Sequence, residues 1–369
     1  MATGPTRRTV RILIISHDLG DNSAGRAHVI WTLARHLGIP AMVLGVSRGG
    51  LWPPLLDDGF SQDTLVFKRI GDLRTAILER LTADDVLIPI KTWPNSLGVA
   101  LDCGRATGAT VLADIDDPDH AALVGEWSGW VYRRAFRARM RFRSESPRTF
   151  DRLQAVVRSL PRLVSNPTLR DMYGGGWIVP HARPVPTDPP PLPGGGSVRV
   201  AFVGTPRNHK GMAVLREAIS AKASEGFALT VTAPPPRDAA PWESWVGTTS
   251  LPKGRQLLRE SDVVVIPQLD IGYGRAQLPA KLIDAMASGR PVIASLTPPI
   301  EWALGGTGLL LEKPTVPAVI GLLEVLANPR TRLQLGQASH ARARDAFSID
   351  AVAAVLSRAL RETLDARDR

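Results

Sequence analysis

Two passages of this chain open alike, and that likeness limits the fold more than any other feature. Val10–Ser16 (VRILIIS) and Val198–Gly204 (VRVAFVG) are short, largely apolar runs. Each is followed by a loop containing glycine and then by an amphipathic helical pattern, from about His28 to Leu37 and from about Met212. A run that does not alternate suits a strand covered on both faces, as in the middle of a parallel sheet. Strand, glycine loop and helix together open a Rossmann-type unit. Further strand-like runs lie at Ala41–Val46, Asp85–Ile90, Thr110–Ile115, Leu163-Val-Ser and Trp177-Ile-Val, then at Phe227–Thr232 and Ser261–Pro267. The stretch between Val46 and Asp85 gives no clear pattern. The alternation predicts an α/β chain of two doubly wound domains, with ligand at the carboxyl ends of the strands.

A length of 369 residues accommodates two ordinary domains. Pro184–Ser197 (PVPTDPPPLPGGGS) reads as a linker, stiffened by prolines and ended by glycines. The expected division is 1–190, 198–348 and a last helical segment over 349–369. The single Cys103 excludes an internal disulfide framework and any cysteine-rich metal site. It fits a reducing compartment, so a cytoplasmic location is expected. No apolar run approaches the ~18 residues of a spanning helix. The basic start MATGPTRRTVRILIIS has too short an apolar run for a signal peptide.

The net charge of +10 favours anionic partners: nucleotides, lipid headgroups or nucleic acid. Part of it is local, because Tyr132–Arg148 carries seven Arg against one Glu. That segment reads either as a solvated helix face or, through Arg133–Arg143, as a patch for an acceptor or a peripheral contact at the inner membrane face. Nucleic-acid binding rests on net charge alone and is not expected.

Four places could carry chemistry. In Leu278–Ser295 (LPAKLIDAMASGRPVIAS), Leu282, Ile283 and Met286 repeat at helical spacing, Pro279 suits the first turn, and Gly289 suits the stop. Lys281 and Asp284 then share the opposite face, as a solvated pair or as ligand contacts. In the loop Gly204-Thr-Pro-Arg-Asn-His-Lys210-Gly, Gly204 permits close backbone approach, while Arg207 and Lys210 would clamp phosphates before a helix N-terminus. In Asp114-Ile-Asp-Asp-Pro-Asp-His120, four carboxylates within six residues repel one another unless a cation is near. Asp117 is expected to cap a helix, and a metal site built from the carboxylates and His120 is least favoured. Lys91 directly follows a strand and is a candidate acceptor or phosphate contact.

These motifs resemble the GT-B-fold glycosyltransferases of the family-4 type, also called glycosyl transferases group 1. The resemblance rests on Pro279, Lys281, Asp284, Met286, Ala287, Gly289, Pro291 and Val292, and on the G-T-P-R-x-x-K-G loop. Gly25-Arg26 and the passage Val179-Pro-His181-Ala extend it into the first half. It implies two Rossmann-like domains facing a central cleft and a last helix crossing back to the first domain. It also implies a metal-independent, retaining transfer from a nucleotide-diphosphate sugar, without a cofactor, to a small-molecule, glycan or lipid-linked acceptor. Donor contacts would come from Gly25, Gly204, Thr205, Tyr273, Leu278, Pro279, Lys281 and Asp284, the acid holding the ribose. Arg207, Lys210, Asp116 and His120 would be catalytic. Two departures stand out: Asp284 replaces the usual Glu, and Ala276 stands where many relatives carry a second Glu. They keep open a catalytically inactive donor-binding protein, and a sugar-nucleotide epimerase is a third alternative because that class shares the fold.

Overall fold

The computed structural model describes residues 10–56, 59–119, 147–204, 210–269 and 272–369. The chain forms two compact units, one of residues 1–180 with 352–369, the other of residues 181–351.

The first unit is built on eight strands: β1 (Ile12–Ser16), β2 (Ala41–Val46), β3 (Thr64–Phe67), β4 (Val86–Ile90), β5 (Thr110–Val111), β6 (Ala113–Ile115), β7 (Arg162–Val164) and β8 (Trp177–Ile178). They run parallel in the order β3-β2-β1-β4-β6-β7-β8, with β5 beside β4. Leu13, Ile15, Leu44, Val46 and Leu87 put the apolar runs into the core as expected.

Three readings need correction here. The single strand over 110–115 is two, because Leu112 lies between them, donating to Leu87 O, and Ala113 turns to Pro161 O. The first helix is Ala24–His36, starting before His28, since Asp21 and Asn22 carbonyls accept from Ala24 and Gly25 and begin the turn early. The stretch with no clear pattern contains β3 and the helix Ile70–Leu78.

The second unit repeats the plan with six parallel strands: β9 (Val198–Phe202), β10 (Phe227–Val231), β11 (Glu243–Trp245), β12 (Val263–Ile266), β13 (Val292–Ser295) and β14 (Leu309–Leu311). Their order is β11-β10-β9-β12-β13-β14, the Rossmann order in which the chain reverses direction between the first and fourth strands. That reversal, between β9 and β12, is where such a sheet opens a ligand crevice. The helices Val316–Val325 and Pro329–Phe347 start at Thr315 and Asn328, whose side chains accept from the first free backbone N–H groups.

The proline-rich stretch is held inside this unit. Arg290 is fully buried and donates to the carbonyls of Pro190 (2.7 Å), Pro191 (2.8 Å), Ser288 (2.8 Å) and Ser261 (3.3 Å). Gly289 adopts φ 65°, the left-handed stop expected of it, and a Cβ there would lie 3.2 Å from Pro189.

Candidate functional site

At the crevice of the second unit, Gly204 follows β9 with φ 113°, and its N–H donates to Thr232 Oγ1 at 2.7 Å. Lys210 Nζ bonds Gln268 Oε1 at 2.9 Å, tying the loop after β9 to the loop after β12 across the reversal point. Gly211 starts the helix Met212–Lys222 at φ 70°. A Cβ at Gly211 would fall 1.9 Å from Pro267 O, so only glycine lets the helix N-terminus sit this close to the end of β12.

The helix Ala280–Ala287 projects into the same place. Pro279 stands just before it, extended at φ −65° and ψ 123°, which corrects the expectation that it occupies the first turn. Leu282, Ile283 and Met286 form the buried stripe, as the spacing predicts. Leu278 is buried with them, so its side chain is a packing element.

The solvated Lys281–Asp284 pair does not form. Helical side chains lean toward the N-terminus. Lys281, in the first turn, therefore reaches back to the end of β9. Its Nζ lies 3.8 Å from the centroid of the Phe202 ring and 3.6 Å from where a Gly204 Cβ would stand. That Nζ is buried and has no hydrogen-bond partner among the described residues. Burial, with the charge of Lys210 second, pushes its pKa down to about 7. Asp284 takes the fork of Arg183, with Nε–Oδ1 2.5 Å and Nη2–Oδ2 3.1 Å. Ala276 is buried.

Arg207, Thr205 and His120 lie outside the described residues, as do Arg133–Arg143 and the side chain of Tyr273.

The first unit gathers its own cluster at the ends of β1, β4 and β6. Asp114 on β6 is fully buried and accepts from both Arg26 Nε (2.9 Å) and Nη2 (2.5 Å). Arg26 also donates to Val179 O (2.8 Å) and Pro180 O (3.3 Å), and Asp116 Oδ1 is 3.9 Å from its Nε. Burial opposes the Arg26 charge, but Asp114 overrides it and raises the pKa. Lys91 has φ 67°, the one left-handed non-glycine among the described residues, and its Nζ bonds Asp117 and, at 3.2 Å, Asp119. Burial is again outweighed by the carboxylates, so Lys91 is held charged. Asp119 is pushed up to about 6 by burial, against the pull of Lys91.

Two buried cations thus answer the repulsion among four carboxylates. The carboxylate of Asp117 turns to Lys91, and the helix it was expected to cap lies outside the described residues. His17 stacks on Trp93 at 5.3 Å beside this cluster, and Asn95 Nδ2 donates to His17 O at 2.5 Å. Gly25 sits in the first turn of the Ala24–His36 helix, where a Cβ would meet Trp52 at 3.7 Å. Among the described residues, no group of three or more His, Cys, Asp or Glu could hold a metal ion. No described helix is long and apolar enough to cross a membrane.

Two Rossmann-type units, the second with a glycine–lysine loop facing a lysine–aspartate helix, define the GT-B class of fold. The family model of glycosyl transferases group 1 matches residues 197–327, from β9 through both motifs. No curated protein sequence matches the chain. Among solved structures, sucrose-phosphate synthase from Thermosynechococcus elongatus superposes with a TM-score of 0.69 at 14% identity, covering 96% of this chain and 100% of that one. HepE from Anabaena, solved with UDP-glucose, gives a TM-score of 0.69 at 12% identity over 95% of this chain and 99% of its own. A glycosyltransferase from Rickettsia africae gives 0.67 at 12% identity, over 96% and 99%. The two-domain architecture that the motifs implied is therefore the fold of these proteins.

Proposed function

We propose that the protein is a glycosyltransferase that takes its sugar from a nucleotide-diphosphate donor held by the second unit. The observation that carries this reading is the buried Lys281 ammonium. It has no hydrogen-bond partner among the described residues and stands near Lys210 at the carboxyl end of β9. A buried lysine whose Nζ has no hydrogen-bond partner among the described residues, beside a second lysine in a crevice, suits an anion, and a diphosphate supplies it. UDP is the nucleotide to test first, since HepE is solved with UDP-glucose.

In the transfer, negative charge grows on the diphosphate as the glycosidic bond breaks. Lys210 and Lys281, with Arg207, stabilise that charge, which is the largest catalytic contribution expected of fixed cations. With these cations in place the reaction runs without a metal. Asp284 accepts from the ribose hydroxyls. The acceptor belongs to the first unit, with Asp116 or His120 beside the reacting hydroxyl, and the anomeric configuration is retained. A donor-binding protein without turnover is the second reading, favoured by the buried Ala276.

Calorimetric titration with UDP, GDP and TDP tests the proposal. Wild type should bind one of them, and Lys210→Ala should weaken that binding about 10- to 100-fold, as expected for losing a hydrogen bond to a charged group. Failure of all three to bind wild type, or equal binding by the variant, would overturn it. Binding without release of nucleotide from any donor and acceptor pair would move the weight to the second reading.

A further inference from the structure

Asp284 is one methylene shorter than the acid usual in the motif, and both of its oxygens are already engaged. Arg183 meets it with a two-pronged fork, Nε to Oδ1 at 2.5 Å and Nη2 to Oδ2 at 3.1 Å. The pair is mostly buried, with side-chain exposures of 14% and 20%. An ionised carboxylate offers about four lone-pair positions, and a fork uses two, so capacity remains for a diol.

The backbone of Arg183 is fixed on both sides. Its N–H donates to Phe347 O at 2.8 Å and its carbonyl accepts from Ile349 N at 3.1 Å, forming a parallel bridge with Ser348. Its third guanidinium nitrogen donates to Ala182 O at 2.9 Å. The guanidinium is thus aimed from a pinned backbone, and it holds Asp284 in a single orientation.

Resting on the donor site proposed above, the geometry points to Arg183 as a positioning residue for ribose recognition. It compensates for the short reach of Asp284 by locking its rotamer. A charge-assisted hydrogen bond to the ribose hydroxyls gains from that, because an unlocked Asp would have to be ordered when donor binds. The lysine pair is a separate contact and reads only the diphosphate.

The test compares affinities for UDP, 2′-deoxy-UDP and inorganic pyrophosphate, with the guanosine pair used if wild type prefers GDP. Wild type should favour the ribo form by about tenfold or more. Arg183→Met should bring the ratio close to one while pyrophosphate affinity stays at the wild-type value. Arg183→Lys keeps a cation without a fork and should give an intermediate ratio. It also serves if the methionine variant folds poorly. A retained ratio in both variants, even with lowered thermal stability, would reduce Arg183 to a structural ion pair and overturn the inference. So would a wild type that binds both nucleotides equally. Wild type that binds no nucleotide would instead sink the donor site on which the inference rests.

Discussion

Lys281→Met is expected to weaken nucleotide binding about 30-fold and, at the same time, to raise the melting temperature of the unliganded protein. The two effects share one cause. The Lys281 ammonium is buried without a hydrogen-bond partner among the described residues, and the face of Phe202 at 3.8 Å offsets only part of its lost hydration. Methionine fills similar volume without that cost, so about 2 kcal/mol of stability should be gained. For a unit the size of residues 181–351 this is roughly 4–8 °C. Binding loses a cation at the diphosphate, hence the expected weakening. Thermal unfolding with and without UDP measures both. A variant that is less stable and binds normally would show Lys281 to be a packing residue.

The same group sets a pH dependence. Its folded pKa of about 7 lies below the ordinary lysine value of 10.5. Between those two values the unfolded chain holds the proton and the folded chain does not, so stability rises with pH across that window. The full penalty of burying the charge applies below pH 7. An arriving diphosphate restores the charge, so binding above pH 7 should take up close to one proton per site, and affinity should fall as pH climbs. Calorimetry in buffers of different ionisation enthalpy reads this uptake directly. Its absence in Lys281→Met would assign the proton.

What the sequence made legible was local. Buried strands announced themselves as unbroken apolar runs. Gly289 was read as the left-handed stop it is, and the stripe Leu282, Ile283, Met286 was read from spacing, whereas the left-handed start at Gly211 had no signal of its own. β11 escaped because three edge residues, Glu243-Ser-Trp245, carry no periodicity. β3 escaped for a similar reason, being four residues long and half-exposed beyond β2. The ion pairs were hidden by distance along the chain. Lys281 and Asp284 looked like partners because they are three residues apart, whereas their actual neighbours, Phe202 and Arg183, lie 79 and 101 positions away. The crowding of acids at 114–119 did signal a need for cations. Nothing local said that they would be Arg26 and Lys91.

Arg26→Ala should be the most damaging substitution in the first unit, costing about 3–5 kcal/mol. The guanidinium is fully buried, binds Asp114 on β6 through two nitrogens, and also satisfies the carbonyls of Val179 and Pro180. Alanine would leave Asp114 as an uncompensated charge at 0% exposure, with two carbonyls unsatisfied beside it. Against a total stability of about 5–15 kcal/mol, that is a large fraction. Asp114→Ala should cost as much, and the two losses should not add, because either one breaks the same pair. Replacing both by apolar residues, Arg26→Met with Asp114→Leu, should recover most of the loss, since a buried pair gains little over well-packed apolar side chains. Urea unfolding of wild type, the two single alanine variants and the double alanine variant gives the cycle, and a single-variant loss under about 1 kcal/mol would show the pair to be solvated. The apolar double variant then separates stability from use. Asp116 Oδ1 lies 3.9 Å from the Arg26 guanidinium. A double variant that is stable yet has lost turnover, with nucleotide binding intact, would assign the pair to holding Asp116 toward the acceptor. Full activity would assign it to the architecture of the sheet alone.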